Sequence, residues 1–298
     1  MLTGGRRRPG MPARPGRMGG VPSLTLMAVH AHPDDESIST GGVLARYSAE
    51  GVTTVLVTCT DGGCGDGPDG VKPGEVGHER DAVVRLRAEE LEGSCAVLGV
   101  SHLERLGYRD SGMMGWPQND EPGSFWTTPV EEAAARLAVL LRRYRPQVLV
   151  TYDDNGFYGH PDHIQANRVA VAAAELTGIP DKLYYTAVPR SAIRSFAEQV
   201  EKLGLAVPGR GEAGEGPSGP REEWGTPDEL VTTFVDVSRY AGAKYDSLEC
   251  HASQSDNIFF LKMGRDAFEG LMGVEAFVRA RDRTGAPLLE DDLFAGLR

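Results

Sequence analysis

Two short runs carry histidine and carboxylate at spacings that suit a metal ion. In the first, His32-Pro33-Asp34-Asp35-Glu36, His32 and Asp35 stand three apart on a turn tightened by Pro33, so both can face one point. Adjacent Asp34 and Asp35 must diverge, which lets one carboxylate ligate while the other stays free. In the second, His160-Pro161-Asp162-His163, the histidines are three apart at a helix start and share a face, with Pro161 suited to the first helical position. Two histidines and a carboxylate leave open positions on zinc, the arrangement of a catalytic rather than a structural site. The same ligands would also take Fe(II).

Buried strands must deliver these runs. Leu24–His30 is apolar up to the first motif, and Gln147–Thr151 is a second β-branched run followed by a short loop to the other. Between and after them, strand and helix alternate: a helix from Gly41 to about Glu50, a strand at Thr53–Thr58, a helix at Glu79–Leu98 stopped by Gly99, a strand near His102–Leu106 and a helix at Pro129–Tyr144. A helix at His163–Leu176 follows, then a strand at Leu183–Val188, a helix at Ser191–Leu203, a strand at Val231–Val237 and a helix at Arg239–Cys250. The final forty residues read as helical and irregular. This pattern predicts an α/β, Rossmann-like, mostly parallel sheet with helices on both faces, plus a smaller C-terminal α/β portion. Such sheets bind ligands beyond the carboxyl ends of strands, at the switch point of the strand order. If the first and fourth strands are neighbours there, motifs 128 residues apart, from Asp35 to His163, meet.

The chain has 298 residues, enough for one large domain at 24–298. Its net charge is −12, and setting aside Arg6, Arg7, Arg8, Arg14 and Arg17 in the first twenty residues leaves the remainder at −17. An acidic body argues against a nucleic-acid partner. The Gly- and Pro-rich basic leader, 1–23, lacks the apolar core of a signal peptide and reads as disordered. No run approaches the ~18 apolar residues of a membrane span. Four cysteines without a C-x-x-C pair make no disulfide framework and fit a reducing cytoplasm. Oligomeric state is not legible; a homo-oligomer stays open.

Blander readings exist for each feature. A lone His-Pro-Asp is often a helix entry capped by Asp, and Asp34-Asp35-Glu36 alone could be a solvated turn; both motifs after buried strands tip the balance towards a site. His30 reads as a packed strand residue, and His78 and His102 as surface or loop histidines. Gly62-Gly63-Cys64-Gly65-Asp66-Gly67 lacks the lysine and spacing of a nucleotide loop, and Asp153-Asp154-Asn155-Gly156 lacks the twelfth-position acid of a calcium loop and reads as a turn.

Ala31-His32-Pro33-Asp34-Asp35-Glu36 with the later His160-Pro161-Asp162-His163 resembles the PIG-L/LmbE-type zinc N-deacetylases. The likeness extends through Arg87-x-x-Glu90-Leu91, Tyr108-Arg109-Asp110-Ser111-Gly112-Met113, Trp224-Gly225-Thr226-Pro227-Asp228 and His251-Ala252-Ser253-Gln254, and within the family it is similar to the mycothiol branch. The resemblance implies His32, Asp35 and His163 as zinc ligands, Asp34 as general base, and His160 as a cation that steadies the oxyanion or protonates the amine. It implies Asp162 orienting a histidine, Tyr158 at the reacting carbonyl, and Arg87 and Asp110 on the sugar or its polar appendage. The implied reaction is zinc-assisted hydrolysis of the acetamido group of a small amino-sugar conjugate such as GlcNAc-inositol. A mycothiol S-conjugate amidase, or an N-deacetylase of a specialised-metabolite glycoside, is the alternative. Phe157, where the mycothiol enzymes usually have Gly, and Cys64-Gly65-Asp66, where a Glu-Gly-Glu-like loop is common, depart from the pattern at the mouth. The loops Thr60–Gly77 and Gly107–Thr128, with a Gly/Pro-rich mobile insertion at 205–228, are expected to shape the entrance.

Overall fold

The first strand, β1 (Thr25–His30), is buried on both faces and sits at the centre of everything that follows. Its side chains alternate between two apolar layers: Met27 and Val29 pack on one side of the sheet, Leu26 and Ala28 on the other. Full burial of such residues contributes ~1.5–3 kcal/mol each. The computed structural model describes residues 24–205 and 224–298, so the basic leader and most of the 205–228 insertion lie outside the described residues.

After β1 come a short helix α1 (Asp35–Ser39), α2 (Gly41–Ala49), β2 (Thr53–Thr60), α3 (Arg80–Leu98), β3 (His102–Tyr108), α4 (Val130–Tyr144) and β4 (Val148–Thr151). The chain continues through α5 (Gly156–Gly159), α6 (Pro161–Thr177), β5 (Lys182–Ala187), α7 (Arg190–Lys202), β6 (Thr233–Asp236), α8 (Ala241–Cys250), α9 (Ser255–Lys262), α10 (Arg265–Leu271) and β7 (Val274–Asp282). The strand order is β3-β2-β1-β4-β5-β7-β6, with the first five parallel and β7 antiparallel to both its neighbours. β1 pairs with β2 on one side and β4 on the other, so the strand order reverses at β1. Helices α4 and α6 cover one face; α2 and α3 cover the other, where α8 packs against both. The mostly parallel, doubly covered sheet matches the expectation.

Two elements differ from the sequence reading. The His32–Glu36 turn does not remain a loop, because Asp35 opens α1 directly. The last forty residues hold, besides two helices, the nine-residue β7, which completes the sheet. Its pattern is broken by Glu275, which is buried because its carboxylate accepts from the Gly42 and Val43 backbone N–H groups at 2.8 Å and from Lys244 at 2.7 Å. A charged residue on the core side of a strand erases the alternation from which strands are read.

Candidate active site

The switch point collects the carboxyl ends of β1 and β4, and both motifs meet there. The His32 Nδ1, His163 Nε2 and Asp35 carboxylate oxygens lie 3.3–3.4 Å from one another. Three ligands of a tetrahedral ion bound at ~2.0–2.1 Å stand about 3.3 Å apart along the tetrahedron's edges, and each of these pairs approaches at that spacing, the carboxylate through Oδ2 towards His32 and Oδ1 towards His163. His160 also approaches, its ring stacked on that of His163 at 4.8 Å, and His32, His160 and His163 can present nitrogens to one point.

The electrostatics favour a cation. Burial opposes protonation of His32, yet Asp110, Asp162 and Asp35 together raise its pKa well above the usual range. For Asp35, burial acts upwards but His163 and His32 hold the carboxyl well below the usual range. The far nitrogen of His32, Nε2, lies 3.3 Å from Asp162 Oδ2 and 3.7 Å from Asp110 Oδ1, which orients the ring with Nδ1 towards the site. Asp162 is in turn fixed by the Ser111 N–H at 2.9 Å.

Asp34 is built differently from its neighbour. Its backbone has φ 114°, a conformation rare outside glycine, stabilised by donation of its N–H to Glu36 Oε2 at 3.0 Å. Glu36 is itself wholly buried, accepting from His251 Nε2 at 2.7 Å and from Ser94 Oγ. The Asp34 carboxylate bonds outside the ligand cluster, to Arg87 Nη2 at 3.1 Å and Asn257 Nδ2 at 3.3 Å. Burial raises its pKa to about 6, against the pull of Arg87, and the Asp35 charge adds to the rise. A carboxylate poised near neutrality beside a metal site suits a general base.

Other site residues occupy places that differ from the expectations. Arg87 is 4% exposed, and its guanidinium donates to the Pro33 and Gly62 carbonyls as well as to Asp34, so its donors brace the Asp34 turn instead of facing outward to a sugar. Asp110 accepts from the Gly112 N–H at 2.8 Å and the Cys64 N–H at 3.1 Å, tying together the two mouth loops. His160 Nδ1 accepts from the Asp162 backbone N–H at 3.1 Å, which requires that nitrogen to be unprotonated. Burial and the neighbouring His32 and His163 lower its pKa well below 6.5, which favours a neutral ring with its N–H at Nε2 over the expected cation. Tyr158 sets its ring edge-on to His160 and His163, at 6.0 and 5.2 Å. His30 is fully buried and bonded to Thr40, and the Asp153–Gly156 turn is closed by the Phe157 N–H on Asp153 Oδ1. Sequence reading passed over Glu36, Asn257 and Tyr152. The first gave a signal only as a buried acid beside the motif; the other two gave none.

The chain is similar to known proteins over most of its length. The family model described as "GlcNAc-PI de-N-acetylase" (PIG-L) matches residues 27–174. The 1D-myo-inositol 2-acetamido-2-deoxy-alpha-D-glucopyranoside deacetylase of Streptomyces griseus is 43% identical, covering 93% of this chain and 90% of its own length. That of Acidothermus cellulolyticus is 44% identical, covering 92% and 95%. Among solved structures, the N,N'-diacetylchitobiose deacetylase of Pyrococcus horikoshii superposes with a TM-score of 0.54 at 20% identity, over 87% of this chain and 84% of its own. The 4-carboxy-2-hydroxymuconate hydratase of Pseudomonas putida gives 0.57 at 20% identity, over 89% and 99%, so the same fold also carries a hydratase. On its near-full-length relatives, together with the two motifs at the switch point, the chain belongs to the PIG-L family of de-N-acetylases.

Proposed function

We propose that the protein is a zinc-dependent N-deacetylase that removes the acetyl group of a GlcNAc-inositol-like amino-sugar conjugate, with His32, Asp35 and His163 holding the metal. The observation that carries this reading is the meeting of His32, His163 and Asp35 at the switch point, each pair 3.3–3.4 Å apart with the two Asp35 oxygens each facing one histidine, and Asp34 next to them on the same turn. A bound zinc would supply Lewis-acid polarisation of the amide carbonyl and a water acidified towards pH ~7. Asp34 takes the proton of the attacking water, held in place by Arg87 and Asn257. Neutral His160 donates from Nε2 to the oxygen on which charge develops, a contribution of ~3–4 kcal/mol for one well-placed donor. Tyr158, edge-on to both histidines, closes the site on the carbonyl side. Asp162 keeps His32 in its ligating tautomer.

The names of the nearly full-length relatives support the inositol conjugate as substrate. Phe157 and Cys64-Gly65-Asp66 at the mouth favour a second reading, an amidase of mycothiol conjugates or a deacetylase of a specialised glycoside. We place the reaction in the cytoplasm, in keeping with four free cysteines; among the described residues no helix is long and apolar enough to cross a membrane. We read 24–298 as one domain whose partner is the small-molecule substrate. The test is product analysis on GlcNAc-inositol, a mycothiol conjugate and an N-acylated glycopeptide. Acetate and free amine from the first at the highest kcat/KM support the reading, whereas preference for either of the others moves the substrate to the second.

A further inference from the structure

Tyr152 stands just beyond β4, 2% exposed, and touches three parts of the site at once. Its hydroxyl donates to Asp35 Oδ2 at 2.6 Å and accepts from the Ala31 backbone N–H at 2.8 Å. Its ring lies nearly parallel on the imidazole of His163, with centroids 4.1 Å and planes 14° apart. One side chain thus grips both a carboxylate and a histidine of the proposed ligand set, arriving from different strands of the switch point. Asp35 Oδ2 also accepts the His32 backbone N–H at 2.7 Å, so two short donors occupy that oxygen, which lies 3.3 Å from His32 Nδ1. The other oxygen, Oδ1, faces His163 Nε2 at 3.4 Å. His163 Nδ1 is buried and has no hydrogen-bond partner among the described residues, so the plane of that ring is set by stacking, most closely on Tyr152 and further off on His160, rather than by a bond to its far nitrogen.

We infer that Tyr152 is a positioning residue that sets the metal affinity of the site: its hydroxyl engages Asp35 Oδ2, so that the carboxylate offers a single oxygen, and its ring holds His163 in the ligating orientation. The inference rests on His32, Asp35 and His163 being the metal ligands. Withdrawing the hydroxyl while keeping the ring leaves Oδ2 with the His32 N–H as its one short donor and leaves the stack intact, so the carboxylate loosens and metal affinity falls while the fold persists.

The experiment compares zinc dissociation constants of wild type, Tyr152→Phe and His163→Ala by competition with a chromophoric chelator, alongside melting of the metal-free proteins. The expected result is one zinc in wild type, none retained by His163→Ala, and one zinc in Tyr152→Phe held about 10–100-fold more weakly. Metal-free melting of Tyr152→Phe should drop only modestly, because the buried Ala31 N–H loses its acceptor, and at saturating zinc its KM should be unchanged. Equal affinity in wild type and Tyr152→Phe overturns the inference while leaving the ligand set intact. Absence of zinc binding by wild type overturns the ligand set itself. Should Tyr152→Phe not fold, the ring-carbon NMR signal of Tyr152 in wild type decides: it shifts on zinc addition if the hydroxyl holds a ligand, and an unmoved signal overturns the inference.

Discussion

Asp34 and Asp35 are chemically identical neighbours that the fold makes unequal, and their variants should fail in different ways. Asp34→Asn keeps size and hydrogen bonding but cannot take a proton, so metal content should persist while kcat falls by ~10²–10⁴. Asp35→Asn should lose metal. Asp34 must be ionised to act, and burial places its pKa at about 6, a value that a bound cation would draw lower. The acidic limb of kcat/KM should therefore fall at or below pH 6 and vanish in Asp34→Asn. A limb that persists in the variant would assign it to another group. The two motifs were legible because the spacings of His32 and Asp35 and of His160 and His163 are local patterns. The engagement of Arg87 with Asp34 was not, since it depends on how α3 docks against the turn, and an arginine in a helix gives no sign of whether it faces solvent or a buried carboxylate.

At the scale of elements, the strands and long helices were readable from period and caps, whereas β7 was hidden by its buried Glu275 and the short α5 by its irregular backbone. In α5, Phe157 sits at φ 66° and ψ −63°, with its ring 42% exposed and edge-on to Tyr158. A bulky residue in that conformation costs about 1–3 kcal/mol, and glycine relieves it at an entropic cost of ~0.5–1 kcal/mol. Phe157→Gly should thus leave stability unchanged or raise it by about 1 kcal/mol in denaturant melts. Its effect should show in KM, because the ring flanks Tyr158 at the mouth. A destabilised variant with unchanged KM would make Phe157 a packing residue.

Across the whole molecule, the C-terminal region folds back on the first motif: α8 packs on α2 and α3 and is capped by His251, which bonds buried Glu36 two residues after Asp34. Burial pushes the Glu36 pKa up, but the His251 charge and bond dominate and bring the carboxyl to about 2 against an ordinary 4.5. Its contribution to stability is therefore full above pH 4.5 and lost as pH falls towards 2. Removing one partner of a buried pair typically costs ~3–5 kcal/mol, so His251→Ala should lose that much in denaturant melts, with a flatter acid dependence and unchanged metal content. This tie could not be read from the sequence, where 215 residues separate the partners. The strand order could only be assumed until the β1–β4 pairing fixed it. The central claim is that one metal ion, held where these distant segments meet, supports amide hydrolysis. Its most direct test is acetate release from GlcNAc-inositol before chelation, after dialysis against a chelator, and after return of one equivalent of zinc. Loss of release on chelation and its recovery with zinc is the predicted result; an undiminished rate from protein shown by elemental analysis to be metal-free would contradict the account.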